Sequence, residues 1–310
     1  MRVILTGGAG FIGSHISDLY IKMGFKVLII DNLLTGKEEN IPKEAEFEKF
    51  SITEEDKVKR LFKKFKPDIV NHHAAQSSVI ESVKNPIFDM EINIKGTISL
   101  LETSTQFNLK GFIYASSGGT VYGEPKKIPV KENYESFPIS PYGISKKTCE
   151  MYGLYYSKKL PFTSLRYGNV FGPRQDPHSE SGVISIFCER MLKNEEVYIY
   201  GDGKQTRDFI YIEDIAKANI LATEYILKGK SGIFNIGTGK ETSINEIFEK
   251  LKKITGYKKR PIYLSKREGE ITRIALDIKK AQRELNFKPE WDLEEGLKET
   301  VKFFYERRKI

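Results

Sequence analysis

Residues 3–13 join a short apolar run to a glycine-punctuated turn, Thr6-Gly7-Gly8-Ala9-Gly10-Phe11-Ile12-Gly13, which opens an amphipathic helical pattern. Few features restrict a chain so narrowly. Gly7 permits the tight turn, Gly10 lets the backbone approach a pyrophosphate, and Gly13 lets helix pack on strand. The helix N-terminus then offers free N–H groups and a partial positive charge to the phosphates. Asp31 closes the next apolar run, Lys26–Ile30. A carboxylate there accepts hydrogen bonds from both hydroxyls of an adenosine ribose and repels a 2′-phosphate. Together these features predict a dinucleotide site that prefers NAD to NADP.

The first half of the chain alternates such runs with helical patterns. Val3–Thr6, Lys26–Ile30, Ile69–His73, Phe112–Ser116 and Phe162–Arg166 read as buried strands. Ile12–Met23, Glu54–Phe65 and a long segment from Pro86 to Phe107 have helical spacing. The alternation predicts an α/β fold, a doubly wound parallel sheet of Rossmann type. After Tyr167 the character changes. Asn169–Glu180 reads as a loop, and helices follow near Val183–Leu192, Glu213–Leu227, Ser243–Thr255, Ile278–Leu285 and Leu293–Arg307. Strands are expected near Val197–Tyr200 and Ile233–Ile236. The expected division is a dinucleotide-binding domain over 1–168, to which 213–239 returns, and a smaller interleaved substrate domain over 169–212 and 240–310.

Composition narrows the class. No stretch of the 310 residues approaches the roughly 20 apolar residues of a membrane span, and no apolar signal core precedes the glycine turn. A cytoplasmic location is expected. Cys149 and Cys188 are too few for a disulfide framework, and the four histidines lack zinc-binding spacing, so no protein-held metal is expected. The net charge of +8 raises the question of nucleic acid. Lysines interleave with glutamates on helix faces, as in Glu249-Lys250-Leu251-Lys252-Lys253, which describes solvated surface and disfavours that reading.

Ser140-Pro141-Tyr142-Gly143-Ile144-Ser145-Lys146 begins a helix, with Ser140 as cap and Pro141 at the first position. Tyr142 and Lys146 then share one face. A tyrosine is a poor base at neutral pH, its pKa being about 10. An ammonium within reach, with the positive nicotinamide ring, would stabilise the phenolate. Alone the pair has a surface explanation; downstream of the glycine turn it reads as catalytic.

This combination resembles the extended short-chain dehydrogenase/reductase family, and the resemblance runs over essentially the whole chain. It implies that Tyr142 and Lys146 carry the chemistry. Ala115-Ser116-Ser117-Gly118-Gly119-Thr120-Val121-Tyr122-Gly123 looks like the family's serine-bearing strand end, with Ser117 on the reacting oxygen and Ser116 as the alternative. Gly118-Gly119 makes the motif one residue longer than its commoner form. Further implied cofactor contacts are Asn32, Thr35 and Gly36, the Ala74-Ala75 segment, Asn93 and Tyr167. Ser51-Ile52 stands where the family usually has Asp-Ile near the adenine.

Leu165-Arg166-Tyr167-Gly168-Asn169-Val170-Phe171-Gly172-Pro173-Arg174 is similar to the nucleotide-sugar branch of that family, as are Gly201–Phe209 and Arg267-Glu268-Gly269-Glu270. The branch implies Asn169, Arg207 and Arg267 on a substrate diphosphate, Glu270 on the ribose where Asp is usual, and Tyr198 and Tyr200 beside the base. Ile274 is expected to gate the sugar pocket. The activity implied is NAD-dependent 4-epimerisation of a UDP-hexose, of the UDP-glucose/UDP-galactose kind, through a 4-keto sugar. The alternatives are UDP-N-acetylhexosamine or UDP-glucuronate epimerisation, a decarboxylation, or a non-catalytic NAD- or RNA-binding role. Family members are often homodimers through helices near Asp89–Phe107 and Ser140–Tyr156.

Overall fold

Successive residues of the first strand face opposite ways, and both ways are apolar. Val3 and Leu5 enter one buried cluster and Ile4 another; Val27 and Ile29 separate from Leu28 and Ile30 in the same manner. Strands apolar on both faces must be covered twice, the condition for a parallel sheet between two helix layers. The computed structural model, which describes residues 1–178, 182–266 and 271–308, has that architecture. Its strands are β1 (Arg2–Thr6), β2 (Lys26–Asp31), β3 (Glu46–Lys49), β4 (Ile69–His72), β5 (Gly111–Ser117), β6 (Phe162–Tyr167) and the strand Gly232–Ile236. They form one seven-stranded sheet in the order Gly232–Ile236, β6, β5, β4, β1, β2, β3. Every pairing is parallel, with Val3 opposite both Val27 and Ile69, and Ser117 opposite Tyr167.

Helices Phe11–Lys22 and Ile212–Leu227 supply Ile16, Tyr20 and Ile215 to one face. Helices Glu55–Phe65, Gly96–Gln106 and Pro141–Tyr156 supply Val58, Phe62, Leu100 and Cys149 to the other. The long expected helix is broken into Pro86–Met90, a π turn at Glu91–Lys95 and Gly96–Gln106. From β1 the chain winds one way to β2 and β3, then crosses to β4 on the other side. The crevice at that reversal, outside the carboxyl ends of the strands, is where such sheets bind ligands.

Beyond the sheet, helices Val183–Leu192, Ile244–Thr255 and Leu293–Arg307 pack around Phe187, Phe248, Leu251 and Phe304. The last two open on reciprocal capping boxes, Ser243 with Glu246 and Asp292 with Glu295. Strand Gly232–Ile236 crosses back to lie beside β6.

Two expectations need correction. The sequence gives no hint of β3, a charged edge strand in which Phe47 is the one apolar residue and is itself only half-buried. Asn169–Phe171, read as loop, is a strand paired with Phe209–Tyr211; its partner, not an apolar period, creates it. Among the described residues no helix is long and apolar enough to cross a membrane.

Candidate active site

Gly7 holds φ +70°, and a Cβ on it would lie 2.6 Å from the Ala74 amide nitrogen. Turn and β4 loop therefore meet at the reversal point. A Cβ on Gly13 would strike the Gly7 carbonyl oxygen at 2.2 Å, whereas one on Gly10 would meet that oxygen alone, at 3.2 Å. The cradle is tight where chain meets chain and open at Gly10. Gly10 caps helix Phe11–Lys22 without a side-chain hydrogen bond, leaving first-turn N–H groups such as those of Phe11 and Ile12 for a ligand.

Asp31 is buried at the end of β2 and accepts hydrogen bonds from Ala9 N (3.0 Å) and Leu33 N (2.8 Å). Burial pushes its carboxyl pKa up, against those two bonds. Gly36 keeps space beside it, since a Cβ there would come within 2.9 Å of Oδ1. Asn32 and Thr35 lie exposed on the same loop. Ser51 shares a hydrogen bond with the Thr53 hydroxyl at 2.8 Å, and Ile52 is buried beneath it. These features fit the adenosine and pyrophosphate of NAD.

The loop after β4 is fixed from behind. Thr6 Oγ1 accepts from His73 N and Ala74 N, both at 3.2 Å, just before Ala75. Asn93 accepts from Gln76 N (3.0 Å) and donates to Gln76 O and Asp89 Oδ1, both at 2.9 Å. These bonds hold Asn93 in the wall beside the loop after β4. Tyr167 is buried, stacks on His73 at 5.9 Å, and joins its hydroxyl to Asn219 (2.9 Å) and His73 Nε2 (3.0 Å).

Ser140 accepts from Gly143 N at 3.2 Å and Pro141 takes the first position, so helix Pro141–Tyr156 starts as expected. Its first turn brings the Tyr142 hydroxyl close to Ser117, the last residue of β5. Lys146 is buried; its Nζ donates to Ala115 O at 2.8 Å and lies 5.6 Å from the Tyr142 ring centre. Burial pulls the Lys146 pKa down to about 8. The expectation for Tyr142 needs correcting here. Burial, then the negative charge of Asp89, push its pKa above the ordinary tyrosine value, with nearby Ser117 opposing. The ammonium is engaged with the Ala115 carbonyl and does not reach the phenol oxygen.

The two serines separate cleanly. Ser116 donates to Glu150 Oε1 at 2.7 Å, inside a buried network in which Arg166 grips Glu150 at 2.8 and 2.6 Å. Ser117 is the serine that faces Tyr142.

Asn169 follows across the cleft. A Cβ on Gly119 would stand 3.6 Å from Asn169 Oδ1 and 3.9 Å from Ser117 Oγ, so the asparagine lies beside the serine. Arg207 stands on the strand Thr206–Arg207, paired with Thr242–Ser243, and donates from Nη1 to Thr206 O at 2.9 Å. Tyr198 and Tyr200 share one side of a strand paired with Ile262–Leu264, half-buried, with Ile199 buried between them. The Tyr198 hydroxyl donates to Glu196 at 2.9 Å. Arg267 and Glu270 lie outside the described residues. Ile274 is 1% exposed and belongs to the hydrophobic core, so it does not stand open as a gate.

Sequence reading missed Asp89, His73 and Asp208. Asp208 is wholly buried and accepts from Thr238 N (2.8 Å), Thr238 Oγ1 (2.7 Å), Gly239 N (3.0 Å) and Leu276 N (3.0 Å), binding three segments behind Arg207.

Residues 3–237 match the model of the NAD dependent epimerase/dehydratase family. A Methanocaldococcus jannaschii protein, provisionally assigned as a UDP-glucose 4-epimerase, is 49% identical over 302 residues, 96% of this chain and 97% of its own. The crystal structure of UDP-glucose 4-epimerase with UDP-glucose from Thermotoga maritima is 46% identical, with a TM-score of 0.96 over 99% of this chain and 100% of that one. The Thermus thermophilus UDP-glucose 4-epimerase in complex with NAD is 40% identical, with a TM-score of 0.92 over 98% of this chain and 99% of that one.

Proposed function

The chain belongs to the NAD dependent epimerase/dehydratase family, and on that footing we propose that it interconverts UDP-glucose and UDP-galactose by 4-epimerisation. The observation that carries the reading is buried Lys146, with its Nζ on Ala115 O at 2.8 Å and 5.6 Å from the Tyr142 ring centre, beside Ser117 at the end of β5 and in the same fold as the Gly7–Gly13 cradle. NAD, held by the cradle, by Asp31 and by the Ala74-Ala75 loop, supplies when bound the reversible hydride acceptor that such a reaction needs.

Tyr142 takes the proton from the sugar 4-hydroxyl and returns it. Ser117, close to the Tyr142 hydroxyl, holds that same oxygen and orients it toward the base. Lys146 has one N–H on Ala115 O, leaving two for the cofactor end of the crevice. Its positive charge favours the phenolate, which Tyr142 must reach against its own burial. Asn169 and Arg207, with Arg267, hold the diphosphate, while Glu270, Tyr198 and Tyr200 serve the nucleoside. A diphosphate held firmly and a sugar held loosely allow either face to be offered. The division of the chain at 168, with 213–239 returning to the sheet, belongs to the same reading, as does a cytoplasmic location.

The same reading includes a homodimer. Val83, Ile87, Met151 and Tyr155 are large, apolar and exposed on helices Val79–Lys84, Pro86–Met90 and Pro141–Tyr156, which pack side by side. A second copy covers this face, and a Met151→Glu, Tyr155→Glu double variant should run as a monomer in light-scattering chromatography.

The function is tested by incubating purified protein with UDP-glucose, UDP-galactose, UDP-N-acetylglucosamine and UDP-glucuronate, reading products by NMR. Interconversion of the first pair is expected, with lower turnover of the N-acetylated sugar. NAD-loaded protein that leaves the first pair untouched would refute it.

A further inference from the structure

Asp89 is a buried carboxylate for which the reaction as derived has no use. The residue is 0% exposed. It accepts from Gln76 Nε2 at 2.9 Å and Asn93 Nδ2 at 2.9 Å on one oxygen, and from Ser145 Oγ at 2.6 Å on the other. The donors come from the loop after β4, from its own helical run, and from the helix that carries Tyr142 and Lys146. Ser145 directly precedes Lys146. No cation among the described residues forms an ion pair with it. A buried charge met only by neutral donors is costly, and here it stands beside the proton-transfer pair.

We propose that Asp89 is a positioning residue for that pair: it ties the Tyr142–Lys146 helix to the cofactor-side loop and sets a fixed negative charge against both side chains. The proposal rests on the reading of Tyr142 as the base.

The surroundings leave Asp89 as a buried carboxylate without a direct ion pair among the described residues, with Lys146 as the cation that feels its charge. Glu150, on the same helix, is matched by Arg166 at 2.6 Å. His72 and His73, at the end of β4, are held neutral by burial, with His73 down to about 3. Cys149 is kept as a thiol by burial, and Tyr114 and Tyr167 are pushed up in the same way. Ser117 and Ala115 O are neutral partners from β5. The charge of Asp89 raises the proton affinity of Tyr142 and of Lys146 alike. Its removal therefore lets Tyr142 deprotonate at lower pH and lets Lys146 lose its charge at lower pH.

Asp89→Asn is the test. The amide keeps an oxygen for Gln76 and Asn93 and turns an N–H to Ser145 Oγ, which can accept. Both limbs of the pH profile of kcat should move to lower pH, by on the order of one unit. Asp89→Glu, which keeps the charge, should leave the limbs in place even where it slows the reaction. Ser145→Ala, which cuts the tether and keeps the charge, should lower kcat without moving them. If the Asn variant does not fold, Asp89→Ser removes the same charge and should give the same displacement. Limbs that stay put in the charge-free variant, or that move as far in the Glu variant, overturn the proposal. The two failures are distinguishable. Full activity in Tyr142→Phe would sink the base assignment, whereas an inactive Phe variant with unmoved limbs in the Asn variant sinks the Asp89 role alone.

Discussion

The corner around Tyr142 and the strip that carries Arg207 are built on different plans. In the corner, polar groups are fixed by buried partners: Lys146 on Ala115 O, Asp89 on three donors, Ser116 and Arg166 on Glu150. Arg207 stands half-buried on a two-residue strand, and Tyr198 and Tyr200 on a three-residue one. Proton transfer demands atoms held within a fraction of an ångström by a rigid surround. A diphosphate brings its own charge and shape, and residues on short strands and loops can meet it. On the proposed function, the corner is the place for the chemistry and the strip the place for binding.

The sharpest way to break that contrast is Tyr142→Phe. The ring keeps its packing and the hydroxyl is lost, so kcat should fall by about 10²–10⁴-fold while folding and NAD content persist. Normal turnover by a folded variant would place the chemistry elsewhere. Next in size is Gly13→Ala. Its Cβ would meet the Gly7 carbonyl oxygen at 2.2 Å, a clash with backbone that cannot swing away. Overpacking of this kind costs about 1–3 kcal/mol, and the displaced turn should lose its cofactor. Melting temperature and cofactor released by acid both report it; unchanged NAD content would contradict the cradle.

The same contrast explains what the sequence discloses. Strands apolar on both faces announce themselves, as Val3, Ile4 and Leu5 do. β3 does not, because an edge strand with Glu46 and Glu48 needs only a backbone partner. Ser140 and Pro141 fix where their helix begins, so the shared face of Tyr142 and Lys146 follows from spacing. The choice of Ser117 over Ser116 does not follow, since it depends on Glu150, 34 residues from Ser116. Asp89 meets Ser145 across 56 residues and Asp208 meets Leu276 across 68, so their meaning exists only in the folded chain. Local pattern carries the framework and the shared face of Tyr142 and Lys146; the supports behind them are long-range.

On the binding strip the expected effect is smaller. Arg207→Ala should weaken UDP binding by roughly tenfold or more, the value of a charge-assisted contact at about 1.5–3 kcal/mol. Calorimetric titration with UDP measures it directly. Cofactor content should be unchanged, because the arginine stands on a separate two-stranded pairing outside the main sheet. Parent-like affinity would move the diphosphate site away from this strip.

The finest test lies where the two plans meet, at adjacent glycines. A Cβ on Gly118 would stand 2.6 Å from Leu276 Cδ1 and 3.0 Å from Tyr167 O, against the packed floor. Gly118→Ala should therefore destabilise by about 1–3 kcal/mol, since a core side chain and a sheet carbonyl must both yield. A Cβ on Gly119 would find only Asn169 Oδ1 at 3.6 Å and Ser117 Oγ at 3.9 Å, ordinary contact distances. Gly119→Ala should leave folding unharmed, or raise stability by about 0.4–1 kcal/mol through the unfolded chain. Its methyl group would instead enter the space between Ser117 and Asn169, which the proposed function assigns to the reacting oxygen and the diphosphate. KM for the UDP-sugar should rise a few-fold, with kcat close to the parent value, because a sugar free to turn loses room without losing its base. A large fall in kcat would mean that Gly119 belongs to the rigid corner, and the boundary between the two regions would then shift by one residue.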